Sequence, residues 1–144
     1  MEASKEIISE FVRNSLRGER DPDAIPRMSR MLLVDRTITD IDVPDKNHWG
    51  YTALKYQLWH GTTESVEWLL CQNPPAKMEI DSLSAAIYSS EDPEGKVRLL
   101  LDHGADRDIL VGLGGTALSY ARVNNKPAVI DMLENYRPDV SRYV

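Results

Sequence analysis

The chain is poor in several residue types, and each shortage excludes a class of protein. Its 144 residues contain one cysteine, Cys71, so no internal disulfide can form and a reducing compartment is expected. Acidic residues outnumber basic ones by 23 to 17, and the net charge of -6 argues against nucleic acid as a partner. No apolar run reaches the roughly 18 residues of a membrane span, and the start lacks the apolar core of a secretory signal. We therefore expect one domain in the cytoplasm or nucleus, with no membrane partner.

Residues suited to catalysis or metal binding are scattered along the chain. The three histidines, His48, His60 and His103, show no metal-binding spacing, and the lone cysteine has no evident histidine partner. Acidic residues such as Asp42 and Asp45 fall in predicted loops, where we interpret them as solvated. The glycine-rich stretch at 112–115 lacks the Lys-Ser/Thr ending of a phosphate loop, so we interpret it as a turn. We expect no metal, no cofactor and no catalytic residue.

What the sequence does contain is a short segment that occurs twice. Residues 50–54 read Gly-Tyr-Thr-Ala-Leu, and residues 114–118 read Gly-Gly-Thr-Ala-Leu. In each copy a glycine turn leads to a threonine whose hydroxyl can cap the start of a helix. In the second copy Leu118 and Ala121, three positions apart, fall on one face of that helix. The small alanine lets a neighbouring helix approach closely.

A leucine-rich helix end lies upstream of the second copy. Residues 99–101 are three leucines that we expect to end a helix with a buried side, and Gly104 follows where a left-handed turn is favoured. After the first copy, residues 66–70 supply the matching apolar stripe, and Asn73 replaces the glycine. Asparagine is the next best left-handed residue, so the same turn is expected there.

These two segments together resemble ankyrin repeats. Residues 99–106 carry the leucine-rich helix end and its Gly-Ala-Asp, and residues 114–121 carry the Gly-x-Thr start of the next unit. Ala53 and Ala117 depart from the family pattern, which has proline there. The resemblance implies an all-α solenoid of stacked helix–turn–helix units with short finger loops, in a single domain. The implied units span about residues 1–46 (a degenerate cap), 47–77, 78–108 and 109–137, with a tail at 138–144.

The third unit is the least regular. Ten positions separate Asn73 from Leu83, whereas fourteen separate Gly104 from Leu118. Two prolines also remove backbone donors from the shorter junction. We therefore predict that no two-stranded hairpin spans residues 74–82.

The resemblance implies a protein-binding function, because ankyrin domains bind partners through finger tips and the exposed ends of first helices. Trp59 and Tyr88 occupy equivalent positions of successive units, and large exposed aromatic residues dominate binding hot spots. Trp68 falls in an apolar stripe and is expected in the core. The predicted contact residues are His48, Trp49, Tyr51, Trp59, His60, Tyr88, Leu113, Val123 and Asn124. Of these, we expect Trp49, Tyr51, Trp59, His60 and Tyr88 to form one continuous concave surface for another protein.

Two other interpretations follow from the same residues. The groove could instead bind a small molecule or act as an enzyme with His60 as acid or base, although catalysis needs a positioned partner and a pocket that excludes water. Alternatively, the chain could be a structural subunit that assembles through its end repeats. The N-terminal helix suits self-association through an apolar stripe. That stripe comprises Ile7, Ile8, Phe11, Val12 and Leu16.

Overall fold

The protein was analysed as a computed structural model, which describes residues 4–13, 24–89, 91–108 and 115–136. All regular elements within these residues are helical, and none of the described residues forms a β-strand, which confirms the all-α expectation. The chain divides into two compact units, Met1–Lys77 and Met78–Val144. The division falls at the junction between the second and third units expected from the sequence.

The first unit contains four α-helices among its described residues. Helix α1 packs against α3 and a 3₁₀ turn, α2 packs against α4, and α3 packs against α4. The bounds are α1 Lys5–Arg13, α2 Ala24–Ser29, α3 Ala53–His60 and α4 Thr63–Leu70, with a π-helical turn at Arg30–Val34 and the 3₁₀ turn at Lys46–His48. The core side chains include Phe11, Val12, Met28, Leu54, Leu58, Val66 and Leu69, each at most 2% exposed. The predicted core residue Trp68 is only half-buried, whereas the predicted stripe of α4 is buried.

The second unit contains four further helices among its described residues. Helix α5 packs against α6 and α7, and α8 packs against α6 and α7. The bounds are α5 Ser82–Tyr88, α6 Pro93–Asp102, α7 Ala117–Val123 and α8 Pro127–Asn135. Helix α8 begins at the proline that the sequence predicted, because proline fits the first turn of a helix without losing a hydrogen bond. The buried side chains include Leu83, Ala86, Ile87, Val97, Leu100, Ala121, Val129 and Leu133.

The two copies of the repeated segment begin their helices in the same way. The Thr52 hydroxyl accepts a hydrogen bond from the Lys55 backbone N–H at 3.3 Å. In the second unit, the Thr116 hydroxyl accepts from the Ser119 backbone N–H at the same distance. Each threonine satisfies a donor that the first helical turn leaves unpaired, so the repeated residues have a common structural cause.

The end of α6 has the left-handed turn that the sequence predicted. Gly104 has a φ of 98°, which a residue with a side chain rarely adopts. Its N–H donates to the Leu101 carbonyl at 3.0 Å, and the Ala105 N–H donates to the Leu100 carbonyl at 2.9 Å. This pair of bonds is the Schellman arrangement, which satisfies carbonyls at a helix end.

The equivalent prediction for Asn73 is wrong. Helix α4 ends at Leu70, where the Gln72 side-chain amide donates to the Trp68 carbonyl at 2.8 Å. Asn73 is not among the residues with positive φ, and its bond to Pro74 is cis. The proline ring restricts the backbone of the residue before it, so the asparagine does not act as a glycine substitute.

The junction between the two units is a short irregular loop. Residues 71–81 are all described, and none of them takes part in a β-bridge. This matches the prediction that no two-stranded hairpin spans residues 74–82.

Candidate functional site

The most distinctive site of the first unit is the turn that leads into α3. His48, Trp49 and Tyr51 form this aromatic turn, which is closed by an isolated bridge between Asp45 and Tyr51. The Asp45 N–H donates to the Tyr51 carbonyl at 2.9 Å, and the Asp45 carbonyl accepts from the N–H groups of His48 and Gly50, each at 2.9 Å. Three backbone bonds to one residue therefore define the path of the turn.

The side chain of Asp45 fixes the same turn to α1. Its carboxylate is buried, and Oδ1 accepts from the Ser9 hydroxyl and from the Asn47 N–H, each at 3.0 Å. The other oxygen lies 3.1 Å from Nδ1 of His48 and 4.0 Å from Nε of Arg13. Ser9 and Arg13 belong to α1, so this helix and the turn are held by one carboxylate. The expectation that Asp45 is a solvated loop residue is wrong, because its hydrogen bonds compensate for its burial.

Trp49 lies at the tip of the aromatic turn and points into solvent. It is 87% exposed, the largest exposed fraction among the large apolar side chains described. Its φ of 53° places it in the left-handed region, followed by Gly50 at 74°. A left-handed conformation costs an ordinary residue about 1–2 kcal/mol, so the surrounding bonds must compensate for it. A tryptophan that is both strained and exposed contributes little to the fold that holds it.

Neighbouring rings flank Trp49 without covering it. The centroid of its ring lies 6.2 Å from that of His48, edge to face, and 6.1 Å from that of Tyr51. The ammonium of Lys55 lies 4.8 Å from the centre of the Tyr51 ring, within the range of a cation–π contact. His48 and Tyr51 are half-buried. The turn thus offers one prominent indole supported by two partly buried rings.

The C-terminal end of α3 carries a second group of predicted contact residues. His60 is exposed, and its ring centroid lies 4.9 Å from that of Tyr56 and 6.2 Å from that of Trp59. Trp59 is half-buried. Burial raises the pKa of the Tyr56 hydroxyl, and the Arg13 charge opposes this shift. These rings form a compact cluster in which His60 presents the most exposed surface.

The remaining predicted contact residues belong to the second unit. Tyr88 is 38% exposed, and its ring meets that of Tyr120 edge to face at 6.0 Å. Val123 is 84% exposed. The Asn124 side-chain amide donates to the Tyr120 carbonyl at 2.9 Å, which gives it a structural role at the end of α7. Leu113 lies outside the described residues, and the single surface joining Tyr88 to the first unit stays a prediction.

The Asp45–His48 pair has the geometry that orients an imidazole ring in many catalytic sites. Within the described residues, however, no hydroxyl or thiol is hydrogen-bonded to the His48 ring, so the pair lacks the nucleophile of a triad. The described residues also contain no cluster of three or more potential metal ligands from His, Cys, Asp and Glu. The bonds of Asp45 to Ser9, Asn47 and His48 give the pair a structural role as an anchor of the aromatic turn.

The sequence contains one local signal for the buried carboxylate. The Asp45 carboxylate accepts a hydrogen bond from the N–H of Asn47, two residues later. Aspartate side chains commonly make such a bond to the backbone two residues ahead in a turn. The partner Ser9 is 36 positions away, and no local pattern predicts that bond.

Comparisons with known proteins do not identify the chain. No protein-family model matches it, and none of the curated proteins compared with it matches significantly. No described helix is long and apolar enough to cross a membrane.

Proposed function

We propose that this protein is an ankyrin-type binding module and that its aromatic turn anchors a partner protein. The observation that carries this proposal is Trp49, which is 87% exposed in a left-handed conformation fixed by the Asp45 bonds. A strained residue lowers the stability of the fold and persists only where the surrounding structure holds it. Such residues concentrate at binding and active sites. An exposed indole at such a position is a candidate hot spot.

The helix arrangement supports the ankyrin-type part of the proposal. Contacting helix pairs with short connections occur in both units, as α3–α4, α5–α6 and α7–α8. The capping bonds of Thr52 and Thr116 have the same geometry. The glycine turn after α6 also occupies its expected place. These contacting helix pairs support the proposal, because paired helices joined by short turns are the repeating element of such solenoids.

The free energy gained by burying the Trp49 indole favours a protein partner over a small solute. A buried tryptophan contributes one of the largest apolar areas of any side chain, and partners bury such residues at the centre of interfaces. The hydrogen bonds around Asp45 hold the turn before binding, so little conformational entropy is lost when a partner docks. An indole that is 87% exposed suits insertion into a pocket on another protein.

The experiment uses the full chain as bait and replaces one residue at a time. A photo-crosslinking amino acid at the exposed Asn47, which leaves the Trp49 indole in place, should capture a protein from the source cells that the same group at Val34 does not capture. Val34 is a matched control because it is 72% exposed, apolar, and located on the π-helical turn rather than the aromatic turn. The captured protein is then purified for measurement of its affinity.

We expect Trp49→Ala to weaken that affinity by roughly thirtyfold or more, since truncating a central anchor costs about 2 kcal/mol. Val34→Ala should change it by less than about twofold. Equal affinities for the wild type and Trp49→Ala would refute the aromatic turn as the anchor. Circular dichroism of both variants checks that the helices are intact.

A further inference from the structure

The second unit contains a groove between the segment that leads into α5 and the turn that follows α6. Met78, Ile80 and Leu83 supply apolar lining on the first side, and Ala105 supplies it on the second. Ile80 is 66% exposed, so apolar surface of the groove is left in contact with water. The volume of the groove is about 270 Å³, below the range of about 300–1,000 Å³ typical of small-molecule sites. A space of this size suits one side chain of a larger partner.

Both walls of the groove are held in place by hydrogen bonds between near neighbours. The Glu79 N–H donates to the Ser82 hydroxyl at 2.8 Å, and the Ser82 N–H donates to the Glu79 carbonyl at 3.1 Å. On the opposite wall, Oδ1 of Asp106 accepts from the Asp108 N–H at 2.9 Å, directly after the left-handed turn at Gly104. The groove is therefore already formed in the unbound chain, which reduces the cost of binding.

The charged side chains that line this groove have one sign. Among its described lining residues only Glu79 and Asp106 are charged, and both are exposed. Neither forms an ion pair with a cation among the described residues. The adjacent Arg107 is directed towards α8, where its Nη1 donates to the Leu133 carbonyl at 3.1 Å. The described lining thus combines apolar surface with two carboxylates and no cation that compensates for them.

We propose that this groove binds a basic segment of a partner protein and that one arginine side chain of the segment occupies it. The methylene stem of the arginine packs against Met78 and Ile80, while its guanidinium meets the carboxylates of Glu79 and Asp106.

Arginine suits this groove better than lysine does. Its planar guanidinium offers five N–H donors to the two carboxylates and is less strongly hydrated than an ammonium group. The chain as a whole carries a net charge of -6, which attracts a basic segment from a distance. The local charge and the overall charge therefore favour the same partner. The groove belongs to the second unit alone, so this proposal holds even if Trp49 binds nothing.

The test titrates the full-length, ¹⁵N-labelled chain with a synthetic peptide, acetyl-Lys-Ala-Arg-Ala-Lys-amide. We expect the amide resonances of Ile80, Leu83 and Ala105 to shift. A peptide with citrulline in place of arginine keeps the shape of the side chain but loses its charge, and it should bind about tenfold more weakly. A peptide with 2-amino-3-guanidinopropionate at the same position keeps the charge but loses two methylene groups, and it should bind about fivefold more weakly. Raising the salt concentration should weaken the arginine peptide, since the ion pairs are screened.

Variants of the chain locate the site. Glu79→Gln and Asp106→Asn should each weaken the arginine peptide by about three- to fivefold, and asparagine keeps the oxygen that accepts from the Asp108 N–H. Ile80→Ser should weaken it about fivefold, because this change removes apolar surface that the arginine stem covers. Glu67→Gln is the matched control, since it removes an exposed carboxylate outside the groove lining and should change the affinity by less than about twofold.

Several results would overturn the proposal. Equal binding of the arginine and citrulline peptides would show that the carboxylates do not select the occupant. Shifts confined to residues outside the groove, or no shift at millimolar peptide, would refute the groove as the site. Equal losses of affinity in Glu67→Gln and Asp106→Asn would reduce the binding to general attraction by an acidic chain. Binding of methylguanidinium as tight as that of the peptide would identify a small cation as the occupant and refute a partner segment.

Discussion

The two compact units each bury one charged side chain among the described residues, and they surround it differently. In the first unit Asp45 is 1% exposed, and its carboxylate accepts hydrogen bonds from α1 and from its own turn. In the second unit Lys96 is fully buried on α6, and its ammonium donates to the Ser89 hydroxyl at 2.7 Å. Asp45 positions the aromatic turn at the surface, whereas Lys96 lies under the turn between α5 and α6.

The environment of Lys96 disfavours its charge. Burial lowers the pKa of Lys96 to about 8, although the nearby charges of Glu91 and Asp92 act in the opposite direction. The Ser89 hydroxyl also donates to the Glu91 carbonyl at 3.1 Å, so the lysine contacts a turn that is already internally bonded. Because burial lowers this pKa, the protonated lysine makes the folded chain less stable at neutral pH than at a pH above its pKa.

The buried charges of Asp45 and Lys96 have opposite effects on the stability of their units. A carboxylate that accepts several N–H and O–H bonds recovers much of the hydration it loses, and it then fixes the groups that donate to it. The ammonium of Lys96 is penalised by its burial, but it donates a hydrogen bond to Ser89 at the end of α5. Removing the first charge should therefore destabilise its unit more than removing the second.

The largest expected effect is that of Asp45→Ala. This substitution leaves the Ser9 hydroxyl and the Asn47 N–H without their acceptor and releases α1 from the aromatic turn. We expect the free energy of unfolding of the first unit to fall by about 3 kcal/mol. Urea unfolding followed by tryptophan fluorescence measures this, because all three tryptophans of the chain lie in the first unit.

Asp40→Ala is the matched control for that measurement. Asp40 is an exposed aspartate of the same loop, and its carboxylate accepts the Asp42 N–H at 2.9 Å. Its loss should cost no more than about 1 kcal/mol. If both variants lose the same stability, Asp45 is not the anchor of the turn.

The next effect is a pH dependence that belongs to Lys96. Its pKa is about 8 in the folded chain and near the ordinary value of 10.5 when unfolded. Between these values the unfolded state binds more protons than the folded state, so stability rises with pH. We expect a gain of about 2 kcal/mol between pH 7 and pH 9.5. Urea unfolding followed by circular dichroism at both pH values measures it.

Lys96→Met isolates this contribution from other groups that titrate at high pH. The variant also loses the bond to Ser89, but that loss does not depend on the lysine proton. The difference between the wild type and the variant should therefore change by about 2 kcal/mol across the same range. A constant difference would show that Lys96 keeps its ordinary pKa in the folded chain.

The helices were predictable where their cause is local. The hydroxyl caps of Thr52 and Thr116, the proline start of α8 and the left-handed Gly104 follow from residues a few positions apart. The prediction for Asn73 is wrong because it uses only the preference of asparagine for left-handed turns. Pro74 restricts the backbone of the residue before it, and this restriction decides the conformation.

The candidate sites were predictable only in part. The three rings of the aromatic turn were indicated by the sequence, but the buried carboxylate that supports them was not. Its bond to Ser9 joins residues 36 positions apart, and its burial depends on how α1 packs. Such features depend on tertiary contacts that no short motif contains.

The smallest expected effect concerns the conformation of Trp49, and it compares two substitutions at one position. Trp49→Gly and Trp49→Ala both remove the indole and its contacts with the neighbouring rings. Only glycine adopts the φ of 53° without strain, so Trp49→Gly should be the more stable of the two by about 1 kcal/mol. Fluorescence from the two remaining tryptophans, Trp59 and Trp68, reports the unfolding of both variants.

The same pair separates stability from binding at the aromatic turn. Both variants should lose affinity for the partner captured at the aromatic turn, because the hot spot is the indole itself. A glycine variant at least as stable as the wild type would show that the tryptophan adds nothing to the fold and that the Asp45 bonds maintain a strained residue for binding. If alanine instead equals or exceeds glycine in stability, the turn is not left-handed at this position, and the strain that supports the proposed function is absent.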